Sequence, residues 1–165
     1  MTGNVISAMI AYYKGDPRQI NHFLKVYALA KSIGECEGLP EDTLRVLEIA
    51  SITHDIGIKV SEEKYQSAAG PYQEQEGPPV ARSMLTALSI DAPTIERVCY
   101  LIGRHHTYTG IGGLDYQILI EADFLVNLYE GSSAVSAVQS AREKIFRTAT
   151  GIKYLDQMFL SAATE

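Results

Sequence analysis

The segment SITHDIGIK, residues 51–59, ends an apolar run with an adjacent histidine and aspartate, His54 and Asp55, followed by Gly57. Neighbouring residues on a helix project about 100° apart, which suits two core contacts poorly. The same angle suits two ligands that flank a metal ion lying over the end of a helix. Imidazole nitrogen and carboxylate oxygen are ligands for divalent transition metals. The pair therefore indicates a metal site, although a buried aspartate taken alone is more often a helix cap or half of an ion pair.

A third candidate ligand, His22, lies on an apolar face of a predicted helix. Asp16 and Pro17 supply the signals that begin this helix, an N-cap residue and a proline at the first helical position. Val26 and Leu29 follow His22 at spacings of four and seven residues, which place all three on one side. His22 is therefore expected to point into the interior, where a single histidine is more often a hydrogen-bonded core residue than a ligand.

The segment LDYQILIEADFLVNLYE, residues 114–130, predicts another helix with two candidate acids. Asp123 shares a face with Leu119 and Val126, whereas Glu121 is rotated about 200° away by the helical period. The pattern predicts that Asp123 is the buried acid, if either is. A carboxylate in a core is costly unless it is paired or binds a cation. Four candidate ligands can thus converge from three helices: His22, His54, Asp55 and Asp123.

Helical rather than strand periodicity runs through almost the whole chain, which predicts an all-α bundle of about seven to nine helices. Gly57 is expected to end the helix before it. Residues 59–75 are expected to form a short helix and a loop that serve as a lid. The next helix is expected from Gly77, in the segment GPPVARSMLTALSI. Two amphipathic stretches, Ala134–Thr148 and Ile152–Ala162, are expected to complete the bundle.

Length, charge and cysteine content limit the classes of function. The 165 residues suffice for one domain with a sizeable core, and we expect a single domain over residues 1–165. A net charge of −6 argues against bulk nucleic-acid binding. Cys36 and Cys99 form neither a CxxC pair nor a disulfide framework, which favours a reducing cytoplasm. No apolar run approaches the roughly 18 residues of a membrane span, so no membrane association is expected.

The order His22, then His54-Asp55, then Asp123 on an all-α chain resembles the HD superfamily of metal-dependent phosphohydrolases. The likeness covers residues 16–130 and includes the motifs HDIG, EGPPVARSML, RHHT and EADFL. It implies that these four residues bind one divalent ion. The oxygen and nitrogen ligands admit manganese, iron, cobalt, nickel, zinc or magnesium. The helices of residues 131–165 lie outside the likeness and are expected to pack on the core or to form a homo-oligomer.

Two further motifs bear on the number of metal ions. His105 and His106, in GRHHT, stand where relatives with two metals supply further imidazoles and relatives with one metal use polar groups against the phosphate. Relatives with two metals usually carry a histidine before the glycine of EGPPVA, where this chain has Glu76. A second metal held by Glu76, His105 and His106 therefore stays open. The Gly-Tyr-Pro motif of cyclic-dinucleotide enzymes is absent, because TYTGIGG follows the tandem histidines.

Three cationic residues are candidates for binding the substrate phosphate. Some relatives have a lysine directly after HDIG, but here Ile58 holds that position and Lys59 follows. Arg82 and Arg104 lie on helices that carry family motifs, and a guanidinium can hold two phosphate oxygens at once. The one-residue shift is expected to turn the amine of Lys59 elsewhere, and each arginine could equally be an ordinary surface residue.

The resemblance implies metal-assisted hydrolysis of a phosphate ester. Asp55 would hold the attacking water, and His105 or His106 would stabilise charge on the phosphoryl oxygens. The expected substrate is a nucleotide or another small phosphorylated metabolite. Two alternatives stay open: a di-iron oxygenase of the same fold, its site completed by Glu76 and His106, and a non-catalytic metal-binding signalling module.

Overall fold

The computed structural model describes residues 2–161, which form nine α-helices and one π-helical turn and contain no strand. This confirms the predicted all-α fold. No helix within the described range is long and apolar enough to cross a membrane. In chain order the elements are α1 (Thr2–Tyr12), α2 (Pro17–Cys36), α3 (Glu41–Thr53), α4 (Ile58–Tyr65), α5 (Gly70–Ala87), α6 (Ala92–Ile102), α7 (Leu114–Glu130), α8 (Val135–Lys144), α9 (Ala149–Leu155) and the π-helical turn (Asp156–Leu160).

The centre of the bundle consists of α2, α3 and α7, which pack against one another. Helix α6 packs on α3 and also on α5, and α5 contacts α4. The predicted start of α2 is confirmed, because Asp16 accepts a hydrogen bond from the backbone N–H of Gln19 and Pro17 is the first helical residue. The face of α2 that turns toward α3 and α7 carries His22 among buried apolar residues. Ligand candidates on α2 and α7 and at the end of α3 are thereby brought to one interior.

Gly57 does not end the preceding helix, so that prediction is wrong. Helix α3 ends at Thr53, a turn follows, and α4 begins at Ile58. The φ angle of Gly57 is −74°, which any residue adopts. A Cβ atom at this position would instead lie 2.7 Å from the carbonyl oxygen of Gln73 and 2.8 Å from the amide nitrogen of Gly77. Glycine is required here because the turn packs directly on the backbone of α5.

Helix α5 begins at Gly70 rather than at the expected Gly77, so the intervening segment is more helical than predicted. Pro78 and Pro79 lie inside α5. Proline lacks an N–H and usually marks the start of a helix, which is why the sequence pattern placed the start beside this pair. Residues 59–75 comprise most of α4, a short connection and the first turns of α5. Their role as a lid stays a prediction.

Glu121 and Asp123 are both buried, although the helical pattern allowed only Asp123. Glu121 is 0% exposed and Asp123 is 6% exposed. The carboxylate of Glu121 accepts hydrogen bonds from the backbone N–H groups of Arg147 and Thr148, at 2.6 and 3.0 Å, and from Nε2 of Gln117 at 2.7 Å. The connection between α8 and α9 therefore covers the face of α7 that carries Glu121.

We expect Glu121→Ala to lower the free energy of unfolding by about 3 kcal/mol or more, because each buried donor left without an acceptor costs about 1–3 kcal/mol. Urea denaturation followed by circular dichroism measures this change. Glu143→Ala, at an exposed position of α8, is the control and should stay within about 0.5 kcal/mol of wild type. Equal stability of the two variants would show that Glu121 does not anchor the C-terminal helices.

The bounds of the C-terminal helices differ from the predicted ones. The stretch predicted over Ala134–Thr148 is helical as α8, from Val135 to Lys144. The one predicted from Ile152 starts earlier, at Ala149, and continues as the π-helical turn to Leu160; Ala162 lies outside the described residues. Helix α9 contacts α2 and α7, so this part of the chain packs on the core that bears the motifs.

Candidate metal centre

Four buried side chains from α2, from the turn after α3 and from α7 meet in the centre of the bundle. The Nε2 atom of His22 lies 3.3 Å from three atoms: Nε2 of His54, Oδ2 of Asp55 and Oδ1 of Asp123. The Nε2 atom of His54 lies 3.4 Å from Asp55 Oδ2 and 3.5 Å from Asp123 Oδ1. The structure thus brings together the four groups that the sequence singles out. Their role as metal ligands stays a prediction.

The separations within this cluster fit a shared divalent ion. Ligand atoms bound about 2.1 Å from a metal, at angles of 90–110° to one another, lie about 3.0–3.4 Å apart. The observed separations of 3.3 to 3.5 Å are close to this range. Two imidazole nitrogens that face each other in a buried space also require a cation or a proton between them. The donor set of two nitrogens and two carboxylates suits a divalent transition metal.

Hydrogen bonds on the far side of each ring aim two of the histidines at the site. The Nδ1 atoms of His54 and His105 lie 2.8 Å from the carbonyl oxygens of Ser51 and Ile102, respectively. Each carbonyl belongs to the last turn of the preceding helix, where carbonyls lack an intrahelical partner. A carbonyl only accepts, so Nδ1 carries the proton and Nε2 is the atom presented to the site.

His22 is oriented by a carboxylate that the sequence analysis missed. Its Nδ1 lies 2.9 Å from Oε2 of Glu130, whose other oxygen pairs with Lys25 Nζ at 2.7 Å. Such a carboxylate fixes the ring of a metal-binding histidine and raises its basicity. Glu130 follows Asp123 by seven residues, or about two helical turns, so the two lie on one face of α7. This seven-residue spacing could have identified Glu130 from the sequence.

We expect Glu130→Ala to weaken divalent-metal binding by about 10–100-fold, the usual effect of removing the partner of a metal-bound histidine. Metal titration by isothermal calorimetry measures the affinity. Lys25→Met is the control, because it removes the ion pair of Glu130 but leaves its contact with His22. If both variants lose affinity equally, the effect comes from the surface ion pair and not from the orientation of His22.

Three further polar side chains hold the carboxylate ligand candidates in place. Gln19 Nε2 donates to Asp55 Oδ2 at 2.8 Å, and Asn127 Nδ2 donates to Asp123 Oδ1 at 2.8 Å. The hydroxyl of Tyr13 donates to the backbone carbonyl of Asp55 at 2.7 Å. Helical spacing of four residues could have identified Asn127. No sequence signal identifies Tyr13, because only the packing of α1 brings it to the turn.

A second group of possible ligands adjoins the first and consists of Asp55, His105 and His106. Oδ1 of Asp55 lies 3.5 Å from His105 Nε2, whereas Oδ2 faces the first group. Both histidines follow the end of α6 at Ile102, so both can face the site, which a position inside the helix would prevent. The Nε2 atom of His106 is buried and makes no hydrogen bond within residues 2–161. Asp55 thus faces two groups with its two oxygens.

Proximity of imidazoles and carboxylates shifts their pKa values in different directions. Burial lowers the pKa of His54, but the charges of Asp55 and Asp123 outweigh it and raise this pKa to about 9. Burial raises the pKa of Asp123, but hydrogen bonds from the neighbouring histidines bring it below its usual range. Burial and the adjacent His105 lower the pKa of His106 to about 4. Metal binding at the first group is therefore expected to release protons.

Glu76 lies in neither of the two ligand groups. Its carboxylate accepts hydrogen bonds from Lys64 Nζ at 2.6 Å and from the Tyr65 hydroxyl at 2.8 Å. Helix α5 thus directs this side chain toward α4. A role of Glu76 in a second metal site stays a prediction. In the structure its carboxylate pairs with Lys64.

Of the three residues considered for phosphate binding, one lies at the cleft and two lie elsewhere. Lys59 lines the cleft that leads to the metal centre. Arg82 forms two hydrogen bonds with Glu96 on the surface, and Arg104 lies 5.0 Å from the ring centroid of Tyr100. Neither arginine lines the cleft. The cleft has a volume of about 510 Å³ and is lined by residues from α1, α2, α4, α5 and α7 and their connections, including Lys14 and Arg18.

The HD domain family model matches residues 20–146, and the chain belongs to this family. The crystal structure of a predicted HD superfamily hydrolase from an uncultured Thermotogales bacterium has a similar fold, with a TM-score of 0.68 and 22% sequence identity. The alignment covers 95% of this chain and 83% of that one. No curated protein matches the chain by sequence. Family membership and the buried histidine–aspartate groups together support a metal-dependent hydrolase of the HD family.

Proposed function

We propose that the protein is a metal-dependent phosphohydrolase that acts on a nucleotide or another small phosphorylated metabolite. The observation that carries this proposal is the set of nitrogen and oxygen atoms 3.3 to 3.5 Å apart at the base of an open cleft. The residues that would hold the ion are His22, His54, Asp55 and Asp123. A divalent ion held there would polarise a phosphoryl oxygen and lower the pKa of a water molecule toward neutrality.

Side chains of this protein supply the remaining parts of a hydrolytic site. Oδ1 of Asp55, which faces His105 rather than His22, would accept a hydrogen bond from the attacking water and so orient it. The amide of Gln19 holds the other oxygen of Asp55 and keeps the carboxylate from rotating. His106 lines the cleft, where its Nε2 would donate a hydrogen bond to a phosphoryl oxygen.

A second candidate function depends on the group of Asp55, His105 and His106. If these residues hold a second ion, Asp55 would serve as a ligand in both groups. A pair of ions fits either two-metal phosphate hydrolysis or the di-iron oxygenase chemistry of the same fold. In the two-ion case His105 and His106 act as ligands rather than as donors to the phosphate.

Phosphate release from a panel of nucleotides and sugar phosphates tests the proposed function. The protein is stripped with a chelator and then supplied separately with manganese, iron, cobalt, nickel, zinc or magnesium. We expect release with at least one metal, loss of release on chelation and recovery on adding the metal back. A metal-loaded protein inert toward the whole panel would instead indicate a binding module. Two irons per chain with oxygen consumption would indicate the oxygenase.

A further inference from the structure

We propose that Lys14, Arg18 and Lys59 form a rim subsite, an anion-binding site at the mouth of the cleft that holds a second phosphoryl group of the substrate. The inference rests on the proposed function, because it assigns the first phosphoryl group to the metal centre. It narrows the substrate class to small metabolites that carry two phosphoryl groups.

The three cations of the rim subsite come from separate elements that surround one opening. Lys14 lies in the turn between α1 and α2, Arg18 in the first turn of α2, and Lys59 in the first turn of α4. All three line the same cleft as His22 and Asp123. They are exposed to solvent, whereas the metal centre is buried. The rim subsite therefore lies on the solvent side of the metal centre, where the distal part of a bound substrate would be.

No carboxylate within residues 2–161 forms an ion pair with Lys14, Arg18 or Lys59. Several other cations of the chain pair with a neighbouring carboxylate: for example, Lys25 pairs with Glu130, and Lys31 with Glu48. Like charges around one opening repel one another, so the positions of Lys14, Arg18 and Lys59 favour a bound anion. An anionic ligand offsets this repulsion, and charge-assisted hydrogen bonds to phosphate are among the stronger polar contacts.

Two exposed carboxylates accompany the three cations at the cleft. Asp16 and Glu62 also line the cleft. One oxygen of Asp16 accepts a hydrogen bond from the backbone N–H of Gln19 and caps α2. The three cations outnumber these two exposed carboxylates, and the other carboxylates of the cleft, on Asp55, Asp123 and Glu130, face His22 at the metal centre. A local positive potential at the mouth of a cleft attracts anions and raises their local concentration.

Helix α1 connects the rim subsite to the turn that carries Asp55. The hydroxyl of Tyr12 donates to the carbonyl oxygen of Ile56 at 3.2 Å, in the turn that carries Asp55. The ammonium of Lys59 lies 5.3 Å from the ring centroid of Tyr12, which limits where it can point. Lys14 and Arg18 both precede residue 20, where the family match begins. Two of the three cations of the rim subsite thus lie before the family match, and Lys59 lies within it.

The cleft has room for such a substrate. Its volume of about 510 Å³ falls within the usual range for small-molecule sites. A single phosphate would occupy only the buried end, beside the metal centre. A bisphosphate can place one phosphoryl group at each end of the cleft.

The test compares a bisphosphate with its monophosphate in a charge-matched pair of double variants. Lys14→Gln/Arg18→Gln removes two cations of the rim subsite, and Lys144→Gln/Lys153→Gln removes two exposed lysines that do not line the cleft. Isothermal calorimetry measures binding of adenosine 3′,5′-bisphosphate and of fructose 1,6-bisphosphate, each beside its monophosphate. The protein is loaded with the divalent ion that gives the slowest phosphate release.

We expect wild type to bind at least one bisphosphate about tenfold or more tightly than its monophosphate, since the second phosphoryl group would gain charge-assisted hydrogen bonds at the rim subsite. The Lys14→Gln/Arg18→Gln protein should lose this advantage, and the Lys144→Gln/Lys153→Gln protein should retain it. Equal affinity of wild type for bisphosphates and monophosphates would overturn the proposal, as would an advantage that survives Lys14→Gln/Arg18→Gln. Phosphate release is measured separately, so that failure of the rim-subsite proposal can be distinguished from failure of the proposed hydrolase activity. Tight bisphosphate binding without phosphate release would support the rim subsite and contradict the hydrolase activity.

Discussion

Asp55→Ala is expected to remove both metal binding and all measurable phosphate release. Asp55 is the residue that faces both ligand groups: Oδ2 lies 3.3 Å from His22 Nε2, and Oδ1 lies 3.5 Å from His105 Nε2. Alanine leaves buried imidazoles without the anion that balances them. It also removes the oxygen that would orient the attacking water. Metal content and phosphate release, measured on the same preparation, report the two losses.

The control for Asp55→Ala is Asp156→Ala, which removes an aspartate of a surface ion pair with Arg142. This variant should keep its metal and its activity. Circular dichroism shows whether the helices of Asp55→Ala remain intact, so that loss of metal is not mistaken for unfolding. An Asp55→Ala protein that is fully metallated and fully active would end the hydrolase proposal.

Gly57→Ala is expected to lower both stability and activity, with a loss of about 3 kcal/mol in the free energy of unfolding, the upper part of the usual range for overpacking. The added methyl would meet backbone atoms of Gln73 and Gly77 at 2.7 and 2.8 Å, and backbone yields less readily than a side chain. Displacement of α5 would also move the turn that carries His54 and Asp55. Activity should therefore fall together with stability, as measured by urea denaturation and phosphate release.

Gly3→Ala is the matched control, because a Cβ at Gly3 meets no atom within 4 Å and the residue lies in α1. Alanine is the better helix former, so this variant should be as stable as wild type or slightly more stable. If Gly57→Ala equals Gly3→Ala in stability and activity, the close packing of the turn on α5 is not a requirement of the fold.

The helices and the four central side chains could be predicted because local patterns specify them. Asp16 and Pro17 mark the start of α2, and periodicity along α2 and α7 places His22 and Asp123 on inward faces. The His-Asp pair at the end of α3 is conspicuous because an apolar run precedes it. Each of these signals is contained within one helix, and the family resemblance then joined them into a single site.

Features that depend on contacts between distant segments were missed. Glu121 is buried by a connection more than twenty residues further along the chain, through its bonds with Arg147 and Thr148. The role of Gly57 depends on the approach of α5, which the sequence around the glycine does not encode. The internal prolines of α5 indicated a helix start that tertiary packing overrides. The positions of Arg82 and Arg104, away from the cleft, likewise follow from the arrangement of whole helices.

Elemental analysis of wild type beside Asp123→Ala tests the metal centre most directly. Both proteins are supplied with divalent metal and dialysed before measurement, and circular dichroism confirms that both are folded. The structure predicts at least one divalent ion per chain in wild type and none in Asp123→Ala, since Asp123 Oδ1 lies 3.3 and 3.5 Å from the Nε2 atoms of His22 and His54. Absence of metal from wild type, or equal metal in both proteins, would contradict the assignment of these residues as ligands.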